Sequence, residues 1–86
     1  MGSSALEAYK SRLSEAGDRG QCAEQTERVR AAMAADRRIS DADLQAELDH
    51  FQRVKGPMPY PSPGTACSLW GFQQAAEAAL RDRQRR

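Results

Sequence analysis

Apolar residues recur along this chain at steps of three and four, the period of a helix that buries one face. Leu6, Tyr9, Leu13 and Ala16 follow that spacing and predict a helix over residues 4–16. Ser4 and Glu7 fit a capping box, in which a hydroxyl and a carboxylate each take up a backbone N–H left unpaired by the first turn. Gly17 is the expected stop, with Asp18-Arg19-Gly20 as the connection. A second helix is predicted over residues 21–38. Its inner face of Cys22, Thr26, Val29, Ala32 and Met33 is thin, and the propensity of Ala31, Ala32, Ala34 and Ala35 carries much of the assignment. The third helix, residues 41–54, has the clearest start. Ser40 is placed as N-cap with Asp43 three residues on, and Ile39 and Leu44 are spaced to staple the entry. Leu44, Leu48, Phe51 and Val54 line one side, and Gly56-Pro57 ends it.

Residues 56–64 place proline at every second position, which fixes φ, removes amide donors and biases each preceding residue to extended geometry. The expectation is a stiff, polyproline-like connector. A last helix, residues 66–83, follows with Thr65 or Ser68 as cap and Leu69, Phe72, Ala76 and Leu80 as its stripe. Trp70 falls on the stripe's flank, roughly 100° from Leu69. The basic tail, residues 81–86, is expected to fray. No strand pattern and no internal repeat interrupt this order, so the predicted fold is all-α. It is a single domain, residues 1–86, built as a small bundle of three or four helices with a rigid Pro-rich connector before the last.

Composition sharpens that picture. Leu, Ile, Val and Phe together fill 11 of 86 positions, below the roughly 20% at which independent folding becomes doubtful. A chain this short also has much surface for its volume. Stability is therefore expected to come partly from a protein partner or from self-association, such as a dimer. The formal net charge of +1 provides no global field for nucleic acid. No apolar run approaches the ~18 residues of a membrane span, and the N-terminus lacks a secretory pattern. Leu6 stands where N-myristoylation wants Ser or Thr. A cytoplasmic location follows as the expectation, with bacterial or phage origin suggested by the Ala and Arg content. Cys22 and Cys67 permit one disulfide. Without an export signal, the expected state is two reduced, partly buried thiols.

Candidate chemistry is sparse. One histidine, no phosphate-binding glycine loop, no nucleophile elbow and no metal spacing argue against an enzyme, a cofactor or a metal. His50 reads as a helix-flank residue, and Asp41 and Asp43 as complements to a helix dipole. The third helix would meet DNA with Asp41, Asp43, Glu47 and Asp49, the wrong sign for phosphate. What remains is binding. Trp70, Tyr60, Phe72, Met58 and Tyr9 form the candidate partner-binding set, because rigid aromatics supply contact area at low entropic cost. Such a protein would act sterically, as a regulator or inhibitor. Arg81, Arg83, Arg85 and Arg86 are the candidate RNA contacts of the competing class.

Pro59-Tyr60-Pro61, Gly64-Thr65 and Trp70-Gly71-Phe72, followed by an Ala-rich helix, resemble the ribosome modulation factor family over the C-terminal third of the chain. The matching positions are Pro59, Tyr60, Trp70, Gly71 and Phe72. The resemblance implies a small non-enzymatic protein that binds the bacterial ribosome during stationary-phase hibernation. The family is strongly basic and this chain is nearly neutral.

Overall fold

A computed structural model of the chain describes residues 3–54 and 62–85. Met58, Tyr60 and Arg86 lie outside the described residues, as does the predicted extended course of residues 55–61. The fold is a small all-α bundle, with no strand among the described residues. Its elements are α1 (Ser3–Asp18), α2 (Cys22–Ala35), α3 (Asp41–Val54), α4 (Pro63–Ala66), a π-helical turn (Cys67–Gly71) and α5 (Phe72–Gln84). The cap residues between α4, the π turn and α5 keep right-handed helical angles. The three therefore form one continuous C-terminal helical segment, and the described residues make four helical arms.

Several boundaries differ from the sequence expectation for identifiable reasons. Helix α1 runs through Gly17 and is closed by Gly20, whose φ is +73°. Gly20 N–H donates to Gly17 O and Gln21 N–H to Ala16 O, the paired bonds of a Schellman cap. Gly17 serves a different purpose. A Cβ there would lie 2.4 Å from Pro63 O and 2.8 Å from the Gly64 Cα, so its missing side chain lets α4 cross α1. The Ser4–Glu7 capping box is not formed: α1 begins at Ser3, and Glu7 instead pairs with Lys10 at 3.3 Å. Helix α2 stops at Ala35, three residues short of the prediction, because Asp36 takes an extended conformation. Its short side chain competes with the helix for nearby backbone donors.

The start of α3 is as expected. Ser40 Oγ accepts from Asp43 N–H and Asp43 Oδ2 accepts from Ser40 N–H, both at 3.0 Å. Ile39 and Leu44 are both buried beneath this cap. The last arm starts earlier than predicted. Ser62 is the N-cap, accepting from Thr65 N–H, and Pro63 occupies the first turn, where its missing N–H is no loss. Its far end also differs: α5 stays helical to Gln84.

The core is one connected cluster. Leu6, Leu13, Val29, Met33, Ile39, Leu44, Leu48, Phe51, Phe72 and Leu80 contribute its bulk. Helix α5 is its centre, burying Phe72, Ala75, Ala76, Ala78, Ala79 and Leu80. The alanines keep this helix slender, so α2 and α3 can pack closely on it. Phe51 and Phe72 meet at 5.7 Å between ring centroids. The Lys10 ammonium caps both rings at 5.8 and 5.3 Å while pairing with Glu47 at 2.8 Å. Lys10 thereby joins α1 to α3 over the aromatic pair.

Candidate binding surface on the C-terminal segment

Two ties fix the C-terminal segment against α2, one at each end. At the first end Cys22 and Cys67 form a disulfide, with Cα atoms 5.9 Å apart and a sequence separation of 45. This corrects the expectation of two reduced thiols. Spacing alone did not reveal it, because the bundle brings the start of α2 beside the π turn. Gly71 makes the approach possible: a Cβ there would press on Thr26 Oγ1 at 3.0 Å and on both cysteine sulfurs at 3.2 Å.

At the other end lies Arg83. Its guanidinium donates to Met33 O at 2.6 Å, Asp36 O at 2.9 Å, Ile39 O at 2.7 Å and Asp41 Oδ1 at 3.0 Å. One side chain thus closes the C-terminus of α2 and the turn into α3. Beside it, Arg30 forms a bidentate pair with Asp82 at 3.0 and 3.1 Å, and that bond holds the Asp82 carboxyl below its ordinary value. Together these contacts show that α2 and the C-terminal segment run in the same direction.

The α2–α3 turn is organised by Asp36. Its carboxylate accepts from Arg38 N–H, from the Arg38 guanidinium and from the Tyr9 hydroxyl at 2.7 Å. The Arg38 bonds, then the Tyr9 bond, hold this carboxyl well below the usual carboxylate range. Burial, followed by the bond to Asp36, raises the Tyr9 hydroxyl.

These placements sort the candidate residues. Phe72 is fully buried and belongs to the core, so it is not a contact surface. Tyr9 packs against the core and is tied to Asp36 through its only polar atom. Arg83 has a side chain just 13% exposed and is consumed inside the fold, not offered to phosphate. Trp70 is different. Among the described residues it is the large apolar side chain left exposed, at 40%. It stands in the π turn, and Gln74, Arg81 and Arg85 are likewise exposed. With the half-buried Glu77 between them, these positions follow steps of four, three, four and four, and so share the outer face of the segment.

Elsewhere a shallow groove of about 510 Å³ separates α1 from α3, lined by Leu6, Lys10, Asp43, Glu47, His50 and Arg53. Its Lys10 and Glu47 already satisfy each other. No cluster of metal-binding side chains occurs among the described residues, and no helix is long and apolar enough to cross a membrane. Comparison with protein-family models, curated proteins and solved structures gives no match, so function has to be read from this chain's own residues.

Proposed function

We propose that this is a non-enzymatic binding protein that docks a protein partner on the outer face of its C-terminal segment, with Trp70 as the anchor. The carrying observation is the exposure of Trp70 while Leu13, Val29, Met33, Ile39, Leu44 and Phe72 are fully buried. In a chain with so few large apolar residues, leaving the single tryptophan in contact with water sacrifices area that the core would use. An aromatic anchor inserted into a partner's apolar socket would recover it. The protein would then act sterically, as a regulator or inhibitor, and needs no cofactor. A cytoplasmic setting remains part of this proposal, although disulfides are exceptional in a reducing cytosol.

Arg81 and Arg85 favour a second reading. Both are exposed, neither has an ion-pair partner among the described residues, and they share a face with Trp70. Stacking by the tryptophan and phosphate contacts by two arginines would suit single-stranded RNA, in keeping with the resemblance to ribosome modulation factors. One set of pull-downs separates the two. A protein partner should be retained at elevated salt and lost by a folded Trp70→Ala chain. An RNA should be released steeply by salt, and equally by the double change Arg81→Ala and Arg85→Ala. Retention of every ligand by folded Trp70→Ala would sink the leading reading.

A further inference from the structure

We propose that the Cys22–Cys67 disulfide is a redox latch on the turn that presents Trp70, so that its reduction remodels the docking face while the helical core stays closed. This rests on the reading of Trp70 as the binding anchor, and adds the means of controlling it.

The placement of the bridge is the first reason. Cys67 is the opening residue of the π turn and Gly71 the last, and Gly71 lies against both sulfurs. Trp70 is inside the same turn. A π turn holds one residue more than an α turn and recurs in proteins mainly where function requires it. Such a turn persists when tertiary contacts enforce it. On its N-terminal side, α4 is fixed to α1 by the Gly64 N–H bond to Asp18 Oδ1 at 2.9 Å. On its C-terminal side, α5 is fixed by the Arg30–Asp82 pair and the Arg83 bonds. The bridge is the covalent tie to the turn itself.

The second reason is what else holds the bundle. The fully buried residues Leu13, Val29, Met33, Ile39, Leu44 and Phe72 form the centre of the cluster, and Arg83 clasps the opposite end. Reduction leaves these contacts intact.

The third reason is chemical access. Cys67 is 3% exposed, whereas Cys22 is half-buried. A dithiol reductant therefore attacks the Cys22 sulfur as thiolate. The S–S bond breaks, and Cys67 departs as thiolate and takes a proton. The reductant's second thiol then displaces Cys22, leaving the reductant as its own disulfide and the protein with two thiols. Two electrons and two protons have been transferred. Thr26 Oγ1 lies 3.7 Å from the Cys22 sulfur. Disulfides that do occur in a reducing cytosol are usually transient and redox-sensing.

The test compares the oxidised full-length chain with the same chain held in dithiothreitol, and with a Cys22→Ser and Cys67→Ser variant that needs no reagent. Helix content is followed by far-ultraviolet circular dichroism, backbone opening by amide hydrogen exchange, and the turn by the emission maximum of the single tryptophan. The expected result is unchanged helix content, at least tenfold faster exchange confined to residues 66–74, and a shifted tryptophan maximum, in both the reduced and the variant chain. Faster exchange throughout α2, α3 and α5 would make the bridge a staple of the whole bundle and overturn the proposal. So would exchange and emission that do not change. None of these readouts uses a partner, so failure of the latch is distinguishable from failure of the Trp70→Ala pull-down.

Discussion

Replacing Arg83 by methionine should be among the most damaging single changes available on the polar side of this protein. Met keeps much of the apolar stem and removes the guanidinium, so the effect isolates its hydrogen bonds. Three of the four go to main-chain carbonyls, those of Met33, Asp36 and Ile39. The fourth, to Asp41, ends on a side chain that is 62% exposed and contributes little. Hydrogen bonds to a charged donor contribute about 1.5–3 kcal/mol each when buried. Two features lower that figure here. An open pocket of about 320 Å³ borders Asp36, Ile39 and Arg83, so water can reach carbonyls that lose their donor. Arg83 Nε is buried with no acceptor among the described residues, a cost of about 1 kcal/mol that the variant removes. The balance is a loss of about 2–3 kcal/mol. For a domain of this size that lowers Tm by roughly 10–20 °C. Thermal and urea unfolding, followed by circular dichroism, measures it. Arg81→Ala and Arg85→Ala are the controls and should stay within about 0.5 kcal/mol of the parent. Arg83→Lys, a point charge with fewer simultaneous acceptors, should fall between. If Arg83→Met melts with Arg81→Ala, the guanidinium does not hold the α2–α3 turn and the reasoning fails.

Three further outcomes follow from the same contacts. Gly17→Ala and Gly64→Ala should each destabilise by about 1–3 kcal/mol despite alanine's better helix propensity, since a Cβ would meet Pro63 O at 2.4 Å or Ser14 O at 2.6 Å; equal or higher melting temperatures would contradict this. Asp36 has its folded pKa depressed by Arg38 and Tyr9, so its contribution is complete above the unfolded value of about 3.9 and declines as pH falls below it; Asp36→Asn should lower stability at pH 7 and flatten the acid limb of the stability curve, and an unchanged limb would count against it. Ser40→Ala removes half of the α3 capping box and should cost about 1 kcal/mol, read as a shift of the urea midpoint at constant slope.

The parts of this structure that were readable in the sequence are those governed by local chemistry. Ser40 and Asp43 needed only each other, and the stripes of α1, α3 and α5 needed only a period of 3.6. The missed features depend on residues far apart in the chain. Gly17 resembles a helix stop until Pro63 and Gly64 are brought against it, and Gly20 then proves to be the residue with positive φ. Cys22 and Cys67 resemble isolated thiols until α2 lies beside the C-terminal segment. Arg83 reads as one more arginine in a basic tail, and nothing local distinguishes it from Arg81 or Arg85. Its partners are backbone carbonyls, which no side-chain pattern announces. Among the candidate contacts, Phe72 sat on the predicted apolar stripe and was core for that reason, while Trp70 sat on the stripe's flank and is exposed.

The disulfide also alters the thermodynamic expectation drawn from composition. Closing a loop of 45 residues removes unfolded-state entropy equivalent to about 4 kcal/mol in the chain-entropy treatment. This contribution adds to the closed core of Leu13, Val29, Met33, Ile39, Leu44 and Phe72 and does not stand in for it. The bridged chain therefore needs less stabilisation from a partner than its composition alone implies.

Cys67 and Arg83 both lie in the last quarter of the chain, and each clasps a helix from the first half. While the polypeptide is being synthesised, α1, α2 and α3 emerge before the slender helix around which they pack. Their apolar stripes then face one another with Phe72 and Leu80 missing. Native closure is thus a concerted step that awaits residues 67–83, and chains interrupted before Arg83 should go to proteolysis before they fold.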